Sequence, residues 1–265
     1  MRQLSRAINY TTITAPALPH MFTSLHERGV SIRSGEVSMI AGPPAAGKSM
    51  LALALAVRSQ VTTIYLSADS HMHTQAMRLI AMVTNTEQAI VEQAMEADKD
   101  WAQELLAKQD YIRWSFDSAP TARSIEEEVQ AHITLTSRAP ELFIIDNLTD
   151  CLVDGDEFGG MRTFLKDVKY LAREYGMAVL ILHHTSEAWN LGPGQCPPRS
   201  SLQGKVSQTP ALVMTVTDAG GYLGVCPVKN RYGRSSPNGD AATWFQYDPA
   251  ACQVKEIPGQ EMVHV

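Results

Sequence analysis

The chain has 265 residues, of which 45% are hydrophobic and 19% charged, and its formal net charge is −6. That size and balance fit one well-buried α/β domain rather than two of ordinary size, and the negative charge excludes a protein that is basic overall. Any nucleic-acid contact would need a local basic patch or a channel built by several subunits.

Residues 1–19 hold no continuous apolar core, so no signal peptide is expected, and no apolar run approaches the length of a membrane span. The first strand is expected at Val37–Ala41. It runs into Gly42-Pro43-Pro44-Ala45-Ala46-Gly47-Lys48-Ser49, the G-x-x-x-x-G-K-[ST] spacing of a phosphate-binding loop, and a helix is expected over Lys48–Ser59. Glycines let backbone N–H groups close around phosphate oxygens, and the start of the helix points its positive dipole end at the same anion. Lys48 then reaches the β- and γ-phosphates of ATP, Ser49 offers its hydroxyl to Mg²⁺, and Met50 completes the nucleotide-binding stretch.

The second strand, Thr63–Ser67, is followed by Asp69 at the carboxyl edge, where ligands sit in open α/β sheets. Asp69 is read either as the group that orients or deprotonates the attacking water or as an N-cap of the next helix. Helices are expected at Thr74–Val83 and Thr86–Lys108, a strand at Tyr111–Phe116 and a helix at Ala122–Ser137. The strand Leu142–Asn147 carries Asp146 at its end, the position of the Mg²⁺-shell carboxylate in phosphate-loop enzymes. A helix over Glu157–Tyr175 leads to the strand Ala178–His183, which ends in His183-His184. A polar residue there can feel the γ-phosphate; a metal ligand or a structural histidine are the other readings.

Strands alternating with helices predict a mostly parallel sheet covered on both faces. Residues 186–210, rich in Gly, Pro, Ser and Gln, read as a long functional loop. Leu212–Thr217, Tyr222–Lys229, Thr243–Tyr247 and Gln253–Ile257 read as antiparallel strands extending the sheet. The four cysteines have no C-x-x-C spacing and read as reduced structural thiols of a cytoplasmic protein, host cytoplasm if the chain is phage-encoded.

Together these elements resemble the RecA-like ATPase domain of DnaB-type replicative helicases, over about residues 35–257. Ser67-Ala68-Asp69, followed by Gln75-Ala76-Met77-Arg78, is similar to the family's catalytic-glutamate segment, with Asp69 one methylene shorter. Ile144-Ile145-Asp146-Asn147-Leu148 is similar to its Walker B strand, and His184 falls where the family carries a Gln or His sensor. Gly204–Ala211 resembles a segment near the DNA-facing loops. Val228-Lys229-Asn230-Arg231-Tyr232-Gly233 resembles the K-Q-R-N-G motif, whose Lys and Arg reach the neighbouring subunit's γ-phosphate. The resemblance implies a homo-oligomer, a hexameric ring, with Lys229 and Arg231 acting in trans, and a loader or primase as further partners. Residues 1–34 leave no room for the family's primase-binding domain and are expected to form an arm packed on an adjacent subunit.

Between Arg199 and Arg234 the chain carries five cations (Arg199, Lys205, Lys229, Arg231 and Arg234) against one acid, Asp218. Arg199 and Lys205 are the expected contacts to the backbone of single-stranded DNA. No aromatic stacking platform is expected there, only backbone contacts with little sequence preference; Trp189 is the one loop aromatic near enough to stack, with a packing role as its other reading.

The reading is an ATP-dependent helicase motor. Its alternatives are a RecA-like recombination or repair ATPase, a RecA-type signalling ATPase, and a metal-dependent nuclease using Asp150, Asp154, Asp156, Glu157 and the His183-His184 pair.

Overall fold

The computed structural model describes residues 16–19, 21–153, 155–186, 191–192 and 194–258. Among them one sheet of nine strands runs in the order β3-β2-β4-β5-β1-β6-β7-β8-β9. The strands are β1 Val37–Gly42, β2 Thr63–Ser67, β3 Ile112–Ser115, β4 Leu142–Asp146, β5 Ala178–His184, β6 Leu212–Asp218, β7 Tyr222–Asn230, β8 Thr243–Asp248 and β9 Gln253–Glu256. Strands β1 to β6 pair in parallel, and β6 to β9 pair antiparallel. The α/β class, the parallel core and the antiparallel extension agree with the reading of the sequence.

The apolar strands are buried on both faces, which is why they read as continuous hydrophobic runs. In β4, Leu142 and Ile144 enter one core while Phe143 and Ile145 enter the other, the two-residue alternation of a strand. The first core is closed by α2 (Lys48–Ser59), through Leu51, Leu53 and Leu55. The second is closed by α6 (Ala122–Thr136) and α7 (Glu157–Tyr175), through Ile125, Val129, Phe164, Leu165 and Val168.

One feature departs from the expected pattern. The single helix expected over Thr86–Lys108 is two, α4 (Gln88–Ala97) and α5 (Lys99–Ala107), after α3 (Met72–Thr84). Asp98 divides them: its backbone is extended, at φ −140° and ψ 93°, and its carboxylate accepts the Trp101 N–H at 2.9 Å. An Asp that caps a new helix competes well with continuing the old one.

Residues 16–19 and 21–34 make contacts within their own chain. Ala17 bridges Arg33, and α1 (Thr23–Glu27) follows Phe22, whose ring meets Phe245 edge-on at 4.9 Å. Residues 1–15 lie outside the described residues, and the inter-subunit arm expected over residues 1–34 stays a proposal.

All four cysteines are free and buried. Burial pushes the Cys151, Cys196 and Cys226 thiols up and that of Cys252 to about 11. Because the thiolate is the reactive form, the folded protein should resist a disulfide reagent at pH 8 and release all four thiols only in denaturant. Rapid labelling of the native protein would contradict this packing.

Candidate active site

Strand β1 ends at Gly42, and the chain turns tightly before α2 begins at Lys48. Gly47 holds φ 87°, a left-handed conformation open to glycine, and a Cβ there would meet Leu223 at 3.0 Å and the Tyr247 hydroxyl at 3.1 Å. Ala45 is also left-handed, at φ 59°. No side chain caps the start of α2, so its first N–H groups are left to the loop, the arrangement that receives an anion.

Lys48 is buried. Its ammonium donates to the carbonyls of Pro43 at 2.7 Å and Gly42 at 3.1 Å, and stands 3.4 Å from Nδ1 of His184. Burial pushes its pKa down to about 8, while Asp146 and Asp69 act in the opposite direction. A phosphate would supply the counter-charge that the site otherwise provides only partly.

Asp146, at the end of β4, is 2% exposed. Its Oδ2 accepts the Tyr65 hydroxyl at 2.9 Å, and it is hydrogen-bonded to Ser49. Burial pushes its carboxyl up, and those two hydrogen bonds act against the shift. A hydroxyl and a carboxylate, both hard oxygen donors, fit Mg²⁺. Asp69 lies two residues beyond Ser67, the register partner of Asp146. It is exposed and accepts from Ser70 Oγ at 3.0 Å, and the N-cap of α3 is His71. His184 is the register partner of Gly42. The structure thus brings Gly42–Ser49, Asp69, Asp146 and His184 to one edge of the sheet.

Gln75, Arg78 and Tyr247 line the same pocket beside Met50. Sequence reasoning assigned them no role. Gln75 and Arg78 sit three apart on α3, a spacing that many helices share, and Tyr247 arrives from β8 with no local signal. Tyr65 was likewise hidden inside an apolar run.

Lys229 and Arg231 lie at the other end of the sheet. The Lys229 ammonium donates to three carbonyls, Pro210 at 2.6 Å, Ser207 at 2.7 Å and Gln208 at 2.9 Å. Arg231 Nη1 stands 3.3 and 3.4 Å from the two oxygens of Glu36, which also accepts the Tyr232 hydroxyl at 2.9 Å. Burial pushes Lys229 to about 8, and Arg231, Arg199 and Lys169 add to the shift against Glu36. Glu36 and Lys169 were not singled out from the sequence, because neither lies in a motif. Glu36 immediately precedes β1 and Lys48 contacts its far end, so the two groups are separated by the strand, about 20 Å at 3.3 Å per residue.

Lys205 is exposed, with a left-handed backbone at φ 53°, and Arg199 is exposed in a short 3₁₀ turn. The turn Gln203–Gln208 is braced by Arg162, which donates to Gly204 O at 3.1 Å, and by His183, whose Nε2 stands 3.1 Å from Gln203 O. A carbonyl can only accept, so that nitrogen carries the proton. Burial pushes His183 down to about 4. Trp189, Asp154 and the side chain of Glu157 lie outside the described residues. Asp156 is the N-cap of α7, accepting the Gly159 N–H at 2.9 Å. Among the described residues no group of three or more His, Cys, Asp or Glu could hold a metal ion, and no helix is long and apolar enough to cross a membrane.

Tyr65→Phe removes a donor from a buried carboxylate and should lower stability by about 1–2 kcal/mol in a urea titration. No loss of stability would mean that Asp146 does not depend on this hydroxyl.

Residues 28–188 match the model of a family described as AAA domain. The gene 65 protein of Mycobacterium phage L5 is 31% identical over 255 residues, covering 91% of this chain and 93% of that protein. Among solved structures, one described as an ATPase domain superposes with a TM-score of 0.79 at 15% identity, covering 96% of both chains. A DnaB-like replicative helicase, from a structure that also concerns its interactions with primase, gives a TM-score of 0.75 at 15% identity. It covers 96% of this chain and 65% of that one. The fold is therefore that of DnaB-like helicase ATPase domains.

Proposed function

The chain belongs to the AAA domain family and is an ATPase, and on that premise we propose that it is a replicative-type helicase, a ring of identical subunits moving along single-stranded DNA. The observation that carries the reading is the separation of two cationic groups at opposite edges of the sheet, each of which we assign to phosphate. Lys48 opens α2 and contacts the carboxyl end of β1 at one edge of the sheet, and Lys229, Arg231, Arg199 and Lys169 cluster at the opposite edge. Four cations gathered around one carboxylate oppose one another's charge unless an anion joins them, and a neighbour's triphosphate is such an anion.

In that arrangement the loop N–H groups and Lys48 bind the phosphates. Ser49 and Asp146 would hold Mg²⁺, which supplies charge neutralisation to the phosphate oxygens when bound. Asp69 orients water from the exposed carboxyl edge, and His184 stands beside Lys48, where loss of the γ-phosphate is felt. Arg231 exchanges Glu36 for the neighbour's phosphate, one anion for another, and stabilises the charge that develops on transfer. Arg199 and Lys205 are assigned to the DNA backbone, and a loader or primase to the assembled ring. The fold's likeness to helicase ATPase domains supports this choice over a repair ATPase with the same nucleotide site.

Arg231→Ala should reduce hydrolysis about a thousandfold with nucleotide affinity nearly unchanged. Because Arg231 also pairs with Glu36, the double variant Glu36→Gln/Arg231→Ala controls for the lost ion pair and should be equally inactive. Full DNA-stimulated hydrolysis by either variant would contradict the trans assignment. DNA-stimulated hydrolysis without strand displacement on a forked duplex would contradict the helicase reading alone.

A further inference from the structure

Phe158, in the first turn of α7, is 41% exposed. Single apolar side chains on a surface are ordinary, but this one has particular surroundings. Its ring lies on Gly204, where a Cβ would meet Phe158 Cδ1 at 2.7 Å and Cγ at 3.4 Å. Gly204 holds φ 71°, so both its backbone and the ring above it favour the absence of a side chain. Arg162 ties the same peptide down by its bond to Gly204 O, and Lys205 projects beside it.

The helix continues this pattern. At 100° per residue, Phe158, Arg162 and Lys166 fall within about 80° of one another, and the acid Asp167 falls outside that sector. An aromatic ring at the head of a row of cations offers two chemistries at once, a π-face for a base and positive charge for a phosphate chain. An acidic protein surface would satisfy the cations and leave the ring without a counterpart.

Resting on the single-strand reading above, we infer that Phe158 is a base-stacking platform, with Lys205 and Lys166 holding the flanking phosphates. Gly204 keeps the ring at the loop, so the stacked base sits where the loop's cations reach its backbone. Stacking is tolerant of base identity, since every base has a π-face.

The test uses fluorescence anisotropy with the full chain, a labelled oligothymidylate and the same backbone lacking bases. Phe158→Ala and Phe158→Leu should each weaken binding of the oligothymidylate roughly 5- to 100-fold and leave binding of the abasic strand unchanged. Phe158→Trp should retain affinity, with its emission quenched on binding. Phe158→Leu keeps an apolar group on Gly204, so it separates loss of stacking from collapse of the loop. Equal losses on both strands, no loss on either, or dissociation of the oligomer in both variants would each overturn the inference while leaving single-strand binding in place. Failure of the unaltered protein to bind either strand would instead remove the DNA reading on which the inference rests.

Discussion

Lys48 and Arg231 are held at opposite ends of one strand, and the rest of the molecule is arranged around that separation. Lys48 is tied to the carbonyls of Gly42 and Pro43 at the carboxyl end of β1. Arg231 is tied to Glu36, immediately before its amino end. A strand inside a nine-stranded sheet cannot bend to close a gap on the order of 20 Å. The two groups therefore do not meet within one subunit. At one end the loop offers a cation and N–H donors with Arg78 lining the same pocket, and at the other Lys229, Arg231, Arg199 and Lys169 lie near Glu36.

The two edges are linked through β5. His183 and His184 are consecutive on that strand and so face opposite ways. His184 stands 3.4 Å from the Lys48 ammonium, and His183 contacts the carbonyl that opens the Gln203–Gln208 turn. The other end of that turn is gripped by Lys229 through three carbonyls. A shift at the end of β5 therefore moves both histidine contacts, and the turn that His183 touches is bound at its far end by Lys229. Burial keeps His183 neutral at physiological pH, which suits a residue whose task is one N–H directed at one carbonyl.

Much of this was legible in the sequence because the relevant signals are local. The loop spacing, the apolar strand ending in Asp146 and the alternation of strands and helices each occupy a few adjacent residues, and the bounds of α2, α7 and β2 agree with their composition. The break at Asp98 was hidden because helical periodicity continues on both sides of it. The supporting shell was invisible for a different reason. Tyr65 meets Asp146 across 81 residues and Arg231 meets Glu36 across 195, and no short window contains such a pair. The three carbonyls of its own chain that hold Lys229 lie 19 to 22 residues away and were equally out of view. Phe158 was passed over because its neighbour Gly204 arrives from another loop.

The most direct test of a site shared between subunits is complementation between two inactive chains. Lys48→Ala chains keep Arg231, and Arg231→Ala chains keep Lys48. In a random equal mixture, on the order of a quarter of the interfaces pair an intact Lys48 with an intact Arg231 across the boundary. The shared-site account predicts that ATP hydrolysis, absent from either variant alone, returns on mixing in about that proportion. Mixed oligomers that form and remain inactive would contradict it.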